Sequence, residues 1–153
     1  FEASKYDIFV DTYAKSGTTL MIKLVYQILK ENNTIPHGCQ ANKMSSPWEA
    51  VPWTEVTVSQ ELYGSNDGKP KNFIKFIEDS SQNNSYRLWK THAPLINMPI
   101  NNMDNTKSKI IHVIRNPKDV LCSYYNFFSK EPFVQYTGNF DTLFDWFIQG
   151  TVV

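Results

Sequence analysis

The stretch DIFVDTYAKSGTT, residues 7–19, predicts a strand, a loop and the start of a helix. Its first part, residues 7–11, is a short apolar run that predicts a buried strand. A polar loop follows and leads into a helix from Thr18 to about Lys30, where apolar residues recur on one face. A glycine at such a junction lets backbone amides approach an anion, and the helix faces it with the positive end of its dipole. The loop from Lys15 to Thr19 is therefore predicted to cradle a phosphate.

Two other interpretations of this loop need to be weighed. The Walker A pattern places its lysine directly after a second glycine, whereas Lys15 precedes the single glycine, Gly17. A nucleoside triphosphatase therefore fits the loop poorly. The alternative that the loop is only a polar turn capping the next helix stays open.

Two later strands also end in residues that suit chemistry at an anion. Residues 86–90 predict a strand that runs into Thr91 and His92. Residues 110–114 predict a third, core strand that ends at Arg115, and a helix follows from the Asn-Pro pair at 116–117 to about residue 128.

The remaining segments complete an α/β pattern. Residues 34–70 are predicted to be irregular, 72–79 to form a short helix, and 140–148 to form a helix that Gly150 ends. Strands that alternate with helices and are apolar on both faces indicate a three-layer fold, a parallel sheet flanked by helices, in one domain over residues 1–153. Ligands of such sheets bind beyond the carboxyl ends of the strands.

The polar residues at these strand ends suggest an active site. His92 could accept a proton from an attacking hydroxyl group while Lys90 and Lys15 neutralise charge on the transferred group, although a lone histidine is more often structural. Ser123 lies seven residues, about two helical turns, after Asn116, so it lies on nearly the same face of the predicted helix as the side from which Arg115 reaches. Together they suit a second phosphate. The alternative is that Arg115 pairs locally with Asp119.

Composition limits the partners of the chain. Fifteen basic residues balance fifteen acidic ones, so the global charge gives no argument for a nucleic acid or an anionic membrane. No apolar run approaches the roughly 20 residues of a membrane helix. Two cysteines without metal-type spacing fit a reducing compartment, so we expect a cytoplasmic protein and no metal site.

Three motifs together resemble the cytosolic sulfotransferase family, in family order and at family spacing. They are TYAKSGTT at 12–19, RLWKTHAPL at 87–95 and RNPKDVLCSYY at 115–125. The resemblance implies a P-loop-like nucleotide-binding fold that transfers a sulfonate group from 3′-phosphoadenosine 5′-phosphosulfate (PAPS) to the hydroxyl of a small acceptor, without a metal. It implies that His92 is the general base, that Lys15 and Lys90 act on the sulfonate, and that the donor is bound by Lys15, Ser16, Gly17, Thr18, Thr19, Leu20, Arg115 and Ser123.

The chain departs from the family pattern at three places. Ala14 replaces a proline that should stiffen the loop. Leu20 replaces a tryptophan that stacks on adenine in relatives, so an aromatic platform is lost. The family's C-terminal part is absent, so the chain is expected to be an excerpt of a longer protein or to complete its sheet with another chain, as in a homodimer.

The acceptor is expected to be an aromatic or steroid-like alcohol. Aromatic residues that could line its pocket are Trp48, Trp53, Tyr63, Phe127, Phe128 and Phe133, although core packing explains each of them taken singly. Two other functions remain open at this point, a P-loop-type kinase of small molecules and a catalytically inactive nucleotide-binding module.

Overall fold

The structure, a computed structural model, describes residues 3–36, 51–55, 85–98, 107–132, 134 and 136–152. Its elements are the strands β1 (Asp7–Thr12), β2 (Arg87–Thr91) and β3 (Lys109–Val113) and the helices α1 (Thr18–Glu31), α2 (Pro117–Phe128) and α3 (Phe140–Ile148), with a 3₁₀ turn at Leu95–Asn97. The predicted helix at 72–79 lies outside the described residues. The other predicted elements are present, and each begins or ends within about a residue of the predicted position.

The three strands form one parallel sheet in the order β2-β1-β3. Every residue of β1 and β2 is buried, as predicted for strands that are apolar on both faces. The prediction that β3 is a core strand is wrong for the described residues, because β3 lies at the edge of this sheet and Lys109 and His112 are exposed. The high β-propensity of its residues is therefore compatible with a strand that pairs with β1 along one edge and is only partly buried.

Helix α1 covers one face of the sheet. Ile8 and Val10 of β1 and Leu88 of β2 pack there against Ile22 and Val25. The opposite face carries Phe9 and Trp89, which stack with a ring-centroid separation of 6.2 Å and have no exposed surface. The sheet therefore has apolar packing on both faces, as an α/β fold requires.

A buried ion pair joins the first residues of β1 and β2. Arg87 donates from Nε to Asp7 Oδ1 and from Nη2 to Asp7 Oδ2, both at 2.6 Å, and Trp89 Nε1 donates to Oδ1 at 2.6 Å. Asp7 and Arg87 are also register partners in the sheet. Bidentate geometry with an additional donor is the arrangement in which a buried pair compensates its desolvation.

Helices α2 and α3 form a second apolar cluster around Leu143, which has no exposed surface. Their N-termini are capped by asparagines, since Asn116 accepts from Lys118 N at 3.0 Å and Asn139 accepts from Thr142 N at 2.9 Å. Gly150 ends α3 at φ +70°, a conformation that favours glycine. Both the predicted cap and the predicted terminator are thus confirmed.

The first prediction concerns the Asp7–Arg87 pair. Replacing Asp7 by alanine should lower the free energy of unfolding by about 3–5 kcal/mol, because it leaves the Arg87 guanidinium buried without a counterion. Urea unfolding at neutral pH measures the change. Asp145→Ala, at an exposed carboxylate of α3, should change stability by less than about 0.5 kcal/mol. Equal losses in the two variants would contradict the assignment.

Candidate active site

The strand order brings the three predicted loops to one edge of the sheet. Because β1 pairs on both sides, the residues that follow β1, β2 and β3 lie at the carboxyl ends of adjacent parallel strands. A cavity of about 760 Å³ opens there. Its lining includes Ala14, Lys15, Gly17, Thr18, Thr19, Trp53, Glu55, Lys90, His92, Ala93, Pro94, Arg115, Ser123, Tyr124, Phe127 and Phe128.

The loop between β1 and α1 leaves the start of α1 open to a ligand. No side chain caps this helix and no acidic residue lies in its first turn, in contrast with the asparagine caps of α2 and α3. Gly17 adopts φ +108° and Lys15 φ +66°, so the loop is held in left-handed conformations. The loop therefore does not cap α1 with a side chain, although Ser16 N donates to Tyr13 O at 3.1 Å, and the first amides of α1 are oriented so that they can bind an anion.

Ser16 adds a buried donor to this loop. Its side chain is 7% exposed, and its Oγ has no hydrogen-bond partner among the described residues. It lines a smaller neighbouring cavity of about 410 Å³, on the side of His112 and Ile114, and not the larger one. A buried hydroxyl that is left unpaired is costly, so the Ser16 Oγ is available to a group that enters this smaller cavity.

Thr12, at the end of β1, links this loop to His92. Its Oγ1 lies 2.5 Å from Thr18 Oγ1, and its carbonyl oxygen lies 2.6 Å from His92 Nδ1. A carbonyl oxygen only accepts, so Nδ1 carries the proton and Nε2 keeps its lone pair. Burial lowers the pKa of His92 and outweighs the opposing effect of the Thr12 bond, so the ring is neutral near pH 7. It can accept a proton at Nε2.

Glu55 holds the backbone at this histidine. Its Oε1 accepts from His92 N at 2.5 Å and from Thr91 Oγ1 at 3.0 Å, and its Oε2 accepts from Thr54 Oγ1 at 2.8 Å. Burial alone would raise the pKa of the Glu55 carboxyl, but these bonds together lower it. Glu55 is therefore an ionised carboxylate at the wall of the cavity.

Both candidate lysines lie against aromatic rings. Lys90 Nζ is 3.6 Å from the centroid of the Trp53 ring, and Lys15 Nζ is 3.9 Å from that of Phe127. Burial lowers the pKa of Lys90 to about 8, with Glu55 acting in the opposite direction. Burial also lowers the pKa of Lys15, which Glu131 opposes. The rings hold the two ammonium groups at the cavity by cation–π attraction.

Arg115 connects the third loop to the first. Its Nη1 donates to the carbonyl oxygen of Lys15 at 3.0 Å, and no ion pair joins it to Asp119 in the described part of the chain. Ser123 lines the same large cavity, on α2. Lys15, Gly17, Thr18 and Thr19 of the first loop thus line one cavity together with Arg115 and Ser123, whereas Ser16 lines the smaller one.

The other predicted site residues divide into three groups. Trp53, Phe127 and Phe128 line the cavity, as expected of an acceptor pocket. Leu20 does not line it and is 64% exposed. Residues outside the described part of the chain are Trp48, Tyr63 and Phe133.

Sequence reasoning gave no role to Thr12 or Glu55. Thr12 is the last residue of β1, directly before the loop, but its role depends on a tertiary contact with His92 that no local pattern indicates. Glu55 carries no such signal, because it lies 37 residues from His92 in a segment predicted to be irregular.

Comparisons with known proteins agree on one family. The family model described as Sulfotransferase domain matches residues 5–153. The chain is 29% identical over 147 residues to Sulfotransferase 2A1 of Macaca fascicularis, covering 96% of this chain and 44% of the relative. It is 31% identical over 147 residues to the 3-beta-hydroxysteroid sulfotransferase of Cavia porcellus, covering 96% and 43%. The chain thus spans less than half the length of these relatives.

A solved structure resembles the fold. Mouse sulfotransferase SULT7A1 complexed with PAP superposes with a TM-score of 0.57 at 22% identity, over 100% of this chain and 44% of that one. At this identity the likeness supports the fold, a parallel sheet flanked by helices. In the described ranges, no helix has the length and apolar character needed to cross a bilayer.

The second prediction follows from the lowered pKa of Lys90. Between pH 8 and 10.5 the folded chain has lost this proton while the unfolded chain still binds it, so stability should rise with pH in that window. The rise is at most about 1.4 kcal/mol per pH unit, and solvent screening in the open cavity reduces it.

Urea unfolding of the parent and of Lys90→Met, between pH 7 and 10, measures this effect. The Lys90→Met variant should lack this part of the slope, while contributions from Lys15 are shared by both proteins and cancel. Parallel curves for the two proteins would show that Lys90 titrates as an exposed lysine.

Proposed function

The chain belongs to the sulfotransferase family, and from this premise we propose that the protein transfers a sulfonate group from PAPS to the hydroxyl group of a small acceptor. One observation carries the proposal. A single cavity is lined by residues at the uncapped N-terminus of α1, by His92, and by Arg115 and Ser123. Each element suits one part of this reaction.

The residues at the cavity fit a donor with two anionic ends. The uncapped amides of α1, with Lys15 and Thr19, would hold the phosphosulfate end. Arg115 and Ser123 would hold the 3′-phosphate. A relative of the same fold, mouse SULT7A1, was solved with PAP, the desulfonated product of that donor.

PAPS supplies the activated sulfonate, and the side chains of this protein supply proton transfer and charge stabilisation. His92 would take the proton of the acceptor hydroxyl at Nε2, since Thr12 occupies Nδ1. The acceptor oxygen would form the new bond to sulfur as the bond from sulfur to the bridging oxygen of the nucleotide breaks. Lys15 would stabilise the negative charge on that oxygen as the nucleotide phosphate leaves, and Lys90 would orient the sulfonate. An in-line displacement of this kind needs positioning and charge more than covalent catalysis.

We also propose that the acceptor is an aromatic or steroid-like alcohol. Trp53, Phe127 and Phe128 form apolar walls on the same cavity. The name of the Cavia porcellus relative is consistent with this class of acceptor.

The two alternatives lack comparable support. A small-molecule kinase would need a lysine after the last glycine of the loop, whereas Lys15 stands before Gly17. An inactive nucleotide-binding module is motivated by the exposed Leu20 in place of an aromatic platform. It differs from the proposal only in the absence of transfer, which is measurable.

The third prediction tests this function. Transfer of labelled sulfonate from PAPS to a panel of phenols and steroid alcohols is measured for this chain and for the full reading frame that contains it. His92→Gln should lower kcat by about 10²–10⁴-fold, because the amide can still donate to Thr12 O but cannot act as a base.

The matched control is His112→Gln. His112 lies on β3 and its Nδ1 is 2.7 Å from Asp11 Oδ2, so this variant should retain the parental kcat. A full-frame protein that binds PAP but transfers nothing would establish the inactive module instead.

A further inference from the structure

Segment 51–55 extends the sheet beside β2. Lys90 N donates to Pro52 O at 2.9 Å, and Trp53 pairs with Lys90 in a parallel bridge. Val51 belongs to the buried core under α1. Glu55 is therefore held by backbone pairing and by a core anchor, and its carboxylate reaches the cavity from a fixed position.

The hydrogen bonds of the Glu55 carboxylate make it unsuited to accept a proton from a substrate. Oε1 already accepts from His92 N and Thr91 Oγ1, and Oε2 accepts from Thr54 Oγ1. An ionised carboxylate with three such donors is a weak base, and its donors are the backbone and side chains at the turn where β2 ends. Its contacts serve to fix other groups.

We propose that Glu55 is a positioning residue of the active site, which fixes the backbone of His92 so that its ring binds Thr12 O and directs Nε2 into the cavity. The proposal rests on the proposed function, because this orientation matters for catalysis only if His92 accepts the proton of the acceptor. Glu55 acts through His92 and through Lys90, whose charge it stabilises.

Two hydrogen bonds orient the imidazole, and the Trp53 ring packs edge-on against it at a centroid distance of 5.3 Å. Glu55 holds the backbone N–H of His92 and Thr12 O holds ring Nδ1, which leaves rotation about the side chain little freedom. The other charged groups that act on the ring are Lys90, which lowers its pKa, and Asp11, which raises it together with Glu55. The Glu55 carboxylate thus both fixes the backbone of His92 and places a negative charge near its ring.

Two conservative variants separate these contributions. Glu55→Asp keeps the charge but is shorter by about 1.5 Å, so it should lose the bond to His92 N. Glu55→Gln keeps an oxygen for His92 N and Thr91 Oγ1 but loses the charge. Glu55→Asp should therefore change the His92 tautomer and leave the titration of Lys90 unchanged, whereas Glu55→Gln should do the reverse.

The experiment is NMR of the isotopically labelled chain without ligand. Long-range ¹H–¹⁵N correlations report which imidazole nitrogen is protonated, and the ¹³Cε shift of Lys90 reports its titration, with assignments from His92→Gln and Lys90→Met. Glu55→Asp should raise the population of the Nε2–H tautomer of His92 about tenfold and leave the midpoint of Lys90 near its parental value. Glu55→Gln should retain the Nδ1–H tautomer and move the midpoint of Lys90 to lower pH.

The same spectra provide the controls and can show a result that contradicts the proposal. The signals of His112, held by Asp11, should stay unchanged in every variant, which also reports an intact sheet. Glu131→Gln, which removes the carboxylate that acts on Lys15, should alter neither His92 nor Lys90. An unchanged His92 tautomer in Glu55→Asp would overturn the proposal. Because none of these measurements requires turnover, the absence of sulfonate transfer would refute the proposed function without deciding the role of Glu55.

Discussion

The position of β1 between two parallel neighbours is the constraint on which the site depends. A strand that is buried along its whole length, and paired on both sides, brings its own carboxyl end together with those of β2 and β3. The polar residues that follow these strands then share one cavity, although they are far apart in sequence. The Asp7–Arg87 pair at the other end of the strands joins β1 to β2 in register.

Energetic costs concentrate at the carboxyl edge of the sheet. The helix N-terminus there is uncapped, the Ser16 hydroxyl is buried without a described partner, and Lys90 is 3% exposed. An anion bound at this edge would interact favourably with the helix N-terminus and with Lys90, whereas the Ser16 hydroxyl lines the smaller cavity beside it. Stability is supplied elsewhere, by the apolar faces of the sheet and by the α2–α3 cluster.

Much of this fold follows from local rules that a sequence displays. The apolar runs predict β1 and β2. The Asn116 cap predicts the start of α2, and Gly150 predicts the end of α3. Gly17 indicates the loop that precedes α1. The edge position of β3 could not be predicted from the sequence, because the apolar pattern shows which faces of a strand are buried and not which strands it pairs with. The approach of Glu55 to His92 was equally hidden, since it depends on a tertiary pairing between segment 51–55 and β2. Leu20 replaces a tryptophan of the family, and because its side chain is exposed, packing does not explain this substitution.

We propose that two anion pockets bind opposite ends of one doubly phosphorylated adenosine. Calorimetric titration of the chain with adenosine 3′,5′-bisphosphate, adenosine 5′-phosphate and ATP with Mg²⁺ tests it directly, in the parent and in Arg115→Ala, with Lys118→Ala as the matched control. The parent should prefer the bisphosphate by about tenfold or more over the monophosphate, and only Arg115→Ala should remove this preference. Equal affinity of the parent for the two adenosine phosphates, or tighter binding of ATP with Mg²⁺, would contradict it.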